Sequence, residues 1–304
     1  MRVGEYGFFS LILVDDLDHP EKKRNLENKR YLQIVPIEET FSYLINESPP
    51  IKGIIHLGAC SDTTETNAEF LEKNNTQFSK DLALYALKKG IRFVYASSAA
   101  TYGDGSQGFS DDHALLKNLQ PLNLYAHSKH QFDLWAQREN ILDKIVGLKY
   151  FNVFGPNENH KGKMASVVQK MVPSLIKEHS LRFFASSEPE LYADGEQCRD
   201  FIYVKDAVAM TLETFFNPLF KGIYNIGTGM ATSWNRLGKA MFSALNLPVN
   251  IHYTPMPLEL IGKYQNYTCA DMAKFCSLSS YKPSSIEEAV KDYMCNHLLT
   301  QTPW

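Results

Sequence analysis

Ile91-Arg92-Phe93-Val94-Tyr95-Ala96-Ser97-Ser98-Ala99-Ala100-Thr101-Tyr102-Gly103 is a short apolar run that breaks into hydroxyl-bearing and small residues. Ile91 to Ala96 reads as a strand buried on both faces, and such strands belong to parallel sheets covered by helices. Outward from it, Ser10 to Val14, Gly53 to Leu57 and Ile145 to Tyr150 have the same texture, while Asn67 to Lys89 and Asn123 to Arg138 carry helical periodicity. The alternation predicts a doubly wound α/β fold, a parallel sheet with ligand at the carboxyl ends of its strands.

The texture changes after Gly155-Pro156. A helix is expected from about Ala165 to Lys177, then a polar stretch from Ser186 to Glu196, then Asp200 to Asp206 leading into a helix through Phe216. Gly222 to Gly229 reads as one more sheet strand with a glycine turn, and the remainder is helix-rich with loops marked by Pro248, Pro255, Pro257 and Pro283. The expected division is a nucleotide-binding domain over 1–152 and 200–229, with a smaller mixed α/β substrate domain over 153–199 and 230–304. One part of the usual plan is absent. Gly4 and Gly7 precede the first apolar run with no strand before them, so the Rossmann sheet is expected to lack its first strand and the glycine-rich turn that holds a pyrophosphate. Fifteen to twenty upstream residues, roughly a strand plus a turn, are the expected missing piece.

With 304 residues, 44% hydrophobic and 12% aromatic, the chain can bury a large core. A net charge of -3 and a pI near 6.3 give no electrostatic footprint for nucleic acid or an anionic membrane. The apolar stretch Phe8 to Val14 ends at Asp15-Asp16, too short for a signal peptide or a membrane span. Cys60, Cys198, Cys269, Cys276 and Cys295 form no C-x-x-C pair and read as reduced, functionally silent thiols of a cytoplasmic protein. His56, His113, His127, His130 and His160 lack metal-ligand spacing, so no metal site is expected.

The chemistry is carried by Tyr125 and Lys129, which stand four residues apart downstream of Ser97-Ser98. On a helix, side chains at i and i+4 share a face. A neighbouring ammonium favours the ionised phenol and moves its pKa toward the range where it exchanges protons with a sugar hydroxyl. Ser98, ending its strand, is placed to hydrogen-bond the same substrate oxygen. Asp15, closing the strand before it, reads as the carboxylate facing an adenosine ribose.

These segments resemble the extended short-chain dehydrogenase/reductase family over essentially the whole chain. The runs Gly58-Ala59-Cys60-Ser61 with Thr63-Thr64-Glu65, and His160-Lys161-Gly162-Lys163-Met164-Ala165-Ser166, resemble the branch of ADP-heptose 6-epimerases. Asn74-Asn75, Tyr150 to Pro156, Arg199-Asp200-Phe201, Tyr224 to Gly229 and Gly262-Lys263-Tyr264-Gln265 extend the match. The resemblance implies Tyr125 as one acid/base, assisted by Lys129 and Ser98, and Lys161 as a second on the opposite side of the substrate. It implies cofactor contacts from Asp15, Asp16, Lys22, Leu57, Gly58, Ala59, Cys60, Ser61, Asn74, Lys129 and Val153. Asn152, Lys163, Lys170, Phe184, Ala185, Ser186, Ser187, Arg199 and Tyr264 are its implied substrate contacts, with Arg199 and Tyr264 at the nucleotide diphosphate. Lys163 stands where that branch has a small hydroxyl residue, and Lys170 where it has a histidine.

The implied reaction inverts C6 of the heptose in an ADP-heptose through a 6-keto sugar, for lipopolysaccharide core synthesis, by a homo-oligomer, a pentamer by resemblance. Lys22 or Lys23 favours NADP as cofactor, whereas Asp15 alone would favour NAD. The alternatives are another nucleotide-sugar epimerase, a 4,6-dehydratase, or a cofactor-poor remnant serving as a scaffold subunit. A dehydratase needs extra acid/base groups beside Ser98, and Ala99-Ala100-Thr101 offers none.

Overall fold

The computed structural model describes residues 7, 10–258, 261 and 264–304. Gly4, the Phe8-Phe9 start of the first apolar run, and Gly262-Lys263 lie outside the described residues. The strands in chain order are β1 (Ile12–Val14), β2 (Gln33–Val35), β3 (Gly53–His56), β4 (Arg92–Ser98), β5 (Val146–Tyr150), β6 (Asn152–Phe154), β7 (Leu181–Phe184), β8 (Cys198–Tyr203), β9 (Gly222–Ile226), β10 (Ala231–Ser233) and β11 (Ile251–Thr254).

A parallel sheet of order β3-β4-β5-β9 is the centre of the molecule. Its strands alternate between two cores. Phe93 and Tyr95 of β4 point toward Ala83 and Ala86 of helix Phe78–Lys89 and Phe132 and Ala136 of helix Leu124–Arg138. Val94, Val146 and Leu148 point the other way, onto Ala207 and Met210 of helix Val204–Phe216. Helices on both faces make the fold doubly wound, because a parallel strand buried on both sides needs a cover on each. Gly147 of β5 lies under the Tyr95 ring, where a Cβ would collide with it.

β1 and β2 form a separate two-stranded parallel sheet. Among the described residues no ladder joins β1 to β3. The sequence reading did not anticipate β2, whose three residues carry too little pattern to stand out.

A second unit packs around its own core of Phe154, Val168, Val172, Leu175, Phe183 and Leu237. It holds the β10-β8-β6 sheet, the parallel β11-β7 pair and helices Val167–Glu178, Trp234–Ala244 and Ile286–Tyr293. β8 pairs with β6 and antiparallel β10, while β9 belongs to the central sheet. No helix among the described residues is long and apolar enough to cross a membrane.

Candidate active site

The helix Leu124–Arg138 begins where Asn123 accepts a hydrogen bond from the Ala126 amide, 2.8 Å, and this cap aims its first turns at the carboxyl end of β4. Tyr125 and Lys129 share its inward face, and the Ser98 side chain hydrogen-bonds the Tyr125 phenol. Ser98 ends β4, and its hydroxyl also accepts from the Ala100 amide. The expected electrostatics differ here. Burial raises the Tyr125 phenol above its ordinary value, with the Ser98 bond offsetting part of that. The Lys129 ammonium donates to the Ala96 carbonyl at 2.9 Å. Burial brings Lys129 itself down to about 8, with Asp133 opposing.

Behind this face lies a dry polar set that the sequence reading missed. Asp133, one turn beyond Lys129, accepts from Tyr95 at 2.9 Å and Ser97 at 2.7 Å and pairs with Lys149 of β5 at 3.3 Å. Both charged side chains are 0% exposed. Lys149 also donates to Thr101, and Tyr102 donates to Asn225 of β9 at 2.7 Å. Asp133 follows Lys129 at i+4, which is the one signal in the sequence that could have found it.

The loop after β3 is fixed by a buried asparagine. The segment Glu72–Gln77 is π-helical, and its extra residue brings both Asn75 and Thr76 inward. Asn75 accepts from the Cys60 amide and donates to the Cys60 carbonyl, each at 2.9 Å, and it also donates to Ser128. Its neighbour Asn74 donates to Phe70 of its own helix. Asn75 could not be told from Asn74 in sequence, because which of the two turns inward is set by the π turn.

Exposed apolar side chains stand at two strand ends, Val14 of β1 and Leu57 just past β3, and a Cβ at Gly58 would meet nothing within 4 Å. Open, partly apolar strand ends beside an anchored loop fit the flat body of a dinucleotide. Lys22 donates to Asp15 at 2.9 Å and to the Asp16 carbonyl at 2.7 Å, so the two candidate ribose groups already touch. Ala59 and Ser61 flank the anchored Cys60, and Val153 lies in β6.

Arg199 of β8 is 7% exposed and has no carboxylate partner among the described residues. Its guanidinium lies 4.7 Å from the Tyr264 ring and 6.0 Å from that of Trp234, while Trp234 donates to the Tyr264 hydroxyl at 2.8 Å. Desolvation pulls Arg199 below its usual value, as burial does to a cation with no carboxylate beside it. Gln265 donates to the Gly103 carbonyl, which draws this segment across the end of β4. Asn152 accepts from Thr268. Phe184 ends β7 half exposed, Ala185 donates to Thr254, the Ser186 amide is held by Asp194, and Ser187 follows without a described hydrogen bond.

Lys161 sits in the turn Asn159–Met164, exposed, its ammonium unpaired among the described residues. Lys163 reaches back to Thr64 at 3.3 Å and Asp62 at 3.7 Å, laying this turn against the loop that follows β3. Lys170 donates to the Lys163 carbonyl.

A parallel sheet with strand-end loops, a Ser-Tyr-Lys cluster and an unpaired buried arginine define a nicotinamide-dependent enzyme of the epimerase and dehydratase class. The chain belongs to the NAD dependent epimerase/dehydratase family, whose profile matches residues 11–227. It is 44% identical over 306 residues to the ADP-L-glycero-D-manno-heptose-6-epimerase of Nitratidesulfovibrio vulgaris (strain DP4), covering 100% of this chain and 94% of that protein. The protein of that name from Fusobacterium nucleatum is 40% identical over 309 residues, covering 98% and 93%. The crystal structure of Helicobacter pylori ADP-L-glycero-D-manno-heptose-6-epimerase superposes with a TM-score of 0.76 at 25% identity, covering 94% of this chain and 87% of that one.

Proposed function

We propose that this protein inverts C6 of the heptose in ADP-D-glycero-D-manno-heptose to give ADP-L-glycero-D-manno-heptose, the form used for lipopolysaccharide core synthesis. The observation that carries the reading is the placement of Lys161. Its turn lies against the Asp62–Thr64 loop through Lys163, on a different element from Tyr125, which supports the reading of Lys161 as a second proton-handling side chain. Inversion needs this, because the C6 hydroxyl points in different directions in the two epimers and one side chain cannot reach both.

Tyr125 takes or returns the hydroxyl proton of one epimer, with Ser98 holding the oxygen, and Lys161 does the same for the other. Burial keeps the phenol protonated at rest, ready to act as the acid. A bound nicotinamide would supply the hydride acceptor and donor that inversion at C6 requires. Leu57 to Ser61, Asn74, Lys129 and Val153 would hold its reactive half, and Asp15, Asp16 and Lys22 the adenosine ribose. NADP is the proposed cofactor, because Lys22 neutralises Asp15 and leaves the site able to accept a 2′-phosphate. Mass measurement of the dinucleotide released on denaturation checks this, and NAD alone would overturn it. Arg199 is assigned to the substrate diphosphate, with Tyr264, Asn152 and the Phe184 to Ser187 segment lining the same side, and Lys163 and Lys170 beside the heptose.

The test uses purified protein with ADP-heptose and a C6-aldehyde analogue. The analogue disproportionates: the hydrate of one molecule is oxidised to the acid while another molecule is reduced to the alcohol, and one base suffices. Tyr125→Phe and Lys161→Met should each lose epimerisation by at least about a thousandfold while retaining disproportionation, and the double variant should lose both. Epimerisation by Lys161→Met at the wild-type rate would remove Lys161 from the reaction.

A further inference from the structure

We infer that Glu158 is the positioning residue for Lys161, a buried clasp that closes the loop carrying the second base without touching substrate. The inference rests on the reading of Lys161 given above. Glu158 is 4% exposed, and no lysine, arginine or histidine pairs with it among the described residues. Three donors satisfy its carboxylate instead. The Ser166 amide donates at 2.8 Å, the Ser166 hydroxyl at 2.5 Å and the Tyr293 phenol at 2.8 Å.

Those contacts join the two ends of one loop. Residues 158 and 166 are its base, and the Glu158 carbonyl accepts from the Lys161 amide at 2.9 Å to turn the chain at its tip. Gly162 follows at φ +52°, ψ -123°, a conformation that suits glycine, and returns the chain toward Ser166. Ser166 then caps helix Val167–Glu178 by accepting from the Gln169 amide. Gln169 extends the brace by donating to Asn159 at 2.9 Å, and Asn159 donates to Glu21 at 3.2 Å. Tyr293 belongs to the second core, and burial with the Glu158 charge raises its pKa strongly, so it remains a donor.

A carboxylate buried without a cation is stable only where several donors converge, and charge-assisted bonds are the strong kind. The clasp therefore fixes the loop base against the second core, while Lys161 at the tip stays solvent-exposed. Misplacing a reacting group by about 1 Å costs on the order of a hundredfold in rate. Glu158→Gln nearly preserves the shape but removes the charge: with its amide oxygen on the Ser166 N–H, its nitrogen must donate to the Ser166 and Tyr293 hydroxyls, which lose the charge-assisted bonds they gave the carboxylate. Tyr293→Phe removes one donor and keeps the ring in the core.

The test measures epimerisation, disproportionation of the aldehyde analogue and tryptic cleavage after Lys161 and Lys163. Glu158→Gln should lower kcat for epimerisation about a hundredfold with little change in KM, and leave disproportionation near the wild-type rate through Tyr125. Tyr293→Phe should move the same way by a smaller factor. Glu158→Gln combined with Lys161→Met should be no slower than Lys161→Met alone, because Glu158 acts only through Lys161. Cleavage in the loop should speed up about tenfold in both clasp variants, by local opening. Wild-type epimerisation and wild-type cleavage in both clasp variants would overturn the inference, as would equal loss of both activities. If Glu158→Gln does not fold, Tyr293→Phe decides alone. If wild-type protein does not turn over ADP-heptose, the functional reading fails, and the cleavage rates still decide the clasp.

Discussion

A cation buried with no anion beside it costs folding free energy unless a ligand supplies the counter-charge. Arg199 is such a residue, braced by the Tyr264 and Trp234 rings and by its bond to the Cys198 carbonyl. Its fork suits a diphosphate bidentately, and removing one partner of a buried, hydrogen-bonded charge pair typically costs about 2–5 kcal/mol of binding. Arg199→Met is therefore expected to raise the KM for the nucleotide sugar by about a hundredfold. The same variant should be at least as stable as wild type in urea, because it removes an unpaired charge from the interior. Arg199→Lys should recover little of the lost affinity, since an ammonium lacks the fork. Lower stability with unchanged KM would mean that Arg199 serves the fold and not the ligand.

At the scale of elements, the reacting end of β4 is held to helix Leu124–Arg138 and to β5 by the Asp133–Lys149 pair. Asp133 gathers Tyr95, Ser97 and Lys149, and Lys149 reaches Thr101 in the turn that follows Ser98. Breaking a buried pair on one side leaves an uncompensated charge and costs about 3–5 kcal/mol. Lys149→Met should destabilise the protein by that amount in urea denaturation, and adding Asp133→Asn, which removes the orphaned charge while keeping partners for the Tyr95 and Ser97 hydroxyls, should recover part of it. A loss below about 1 kcal/mol for Lys149→Met would show that water reaches the pair. The strand and the helix were legible in the sequence as patterns. Their joint was not, because Asp133 and Lys149 meet only after β5 has been laid beside β4 in parallel register.

For the molecule as a whole, burial of neutral histidines predicts acid sensitivity. Desolvation lowers His56 from 6.5 to about 3, with Lys129 adding to it, and lowers His113 and His130 to about 4. The unfolded chain then binds more protons than the folded one between about pH 6.5 and the folded values. Stability is full above the unfolded pKa and is lost as pH falls through that window. His56 alone gives a slope of about 1.4 kcal/mol per pH unit. Urea midpoints measured from pH 7 to pH 4.5 should fall steadily, and His56→Gln should make the fall shallower by about that slope. A flat profile would mean that these imidazoles are solvated.

The sequence by itself determined the doubly wound class, since parallel strands buried on both faces need continuous apolar runs and leave them in any reading of the chain. Tyr125 and Lys129 were visible for a local reason: four residues on a helix share a face whatever surrounds them. What required tertiary structure was every feature that depends on two distant segments meeting. The direction of the Tyr125 shift reversed, because the fold buried the phenol. Asn75 anchors the Cys60 loop from a π turn that no local pattern announces. Glu158 reads in sequence as one more polar loop residue; the closing of its loop brings the two Ser166 donors, and the packing of helix Ile286–Tyr293 against the loop base brings the third. Apolar periodicity is a one-dimensional property of the chain, whereas the burial and pairing of a charge belong to the folded molecule.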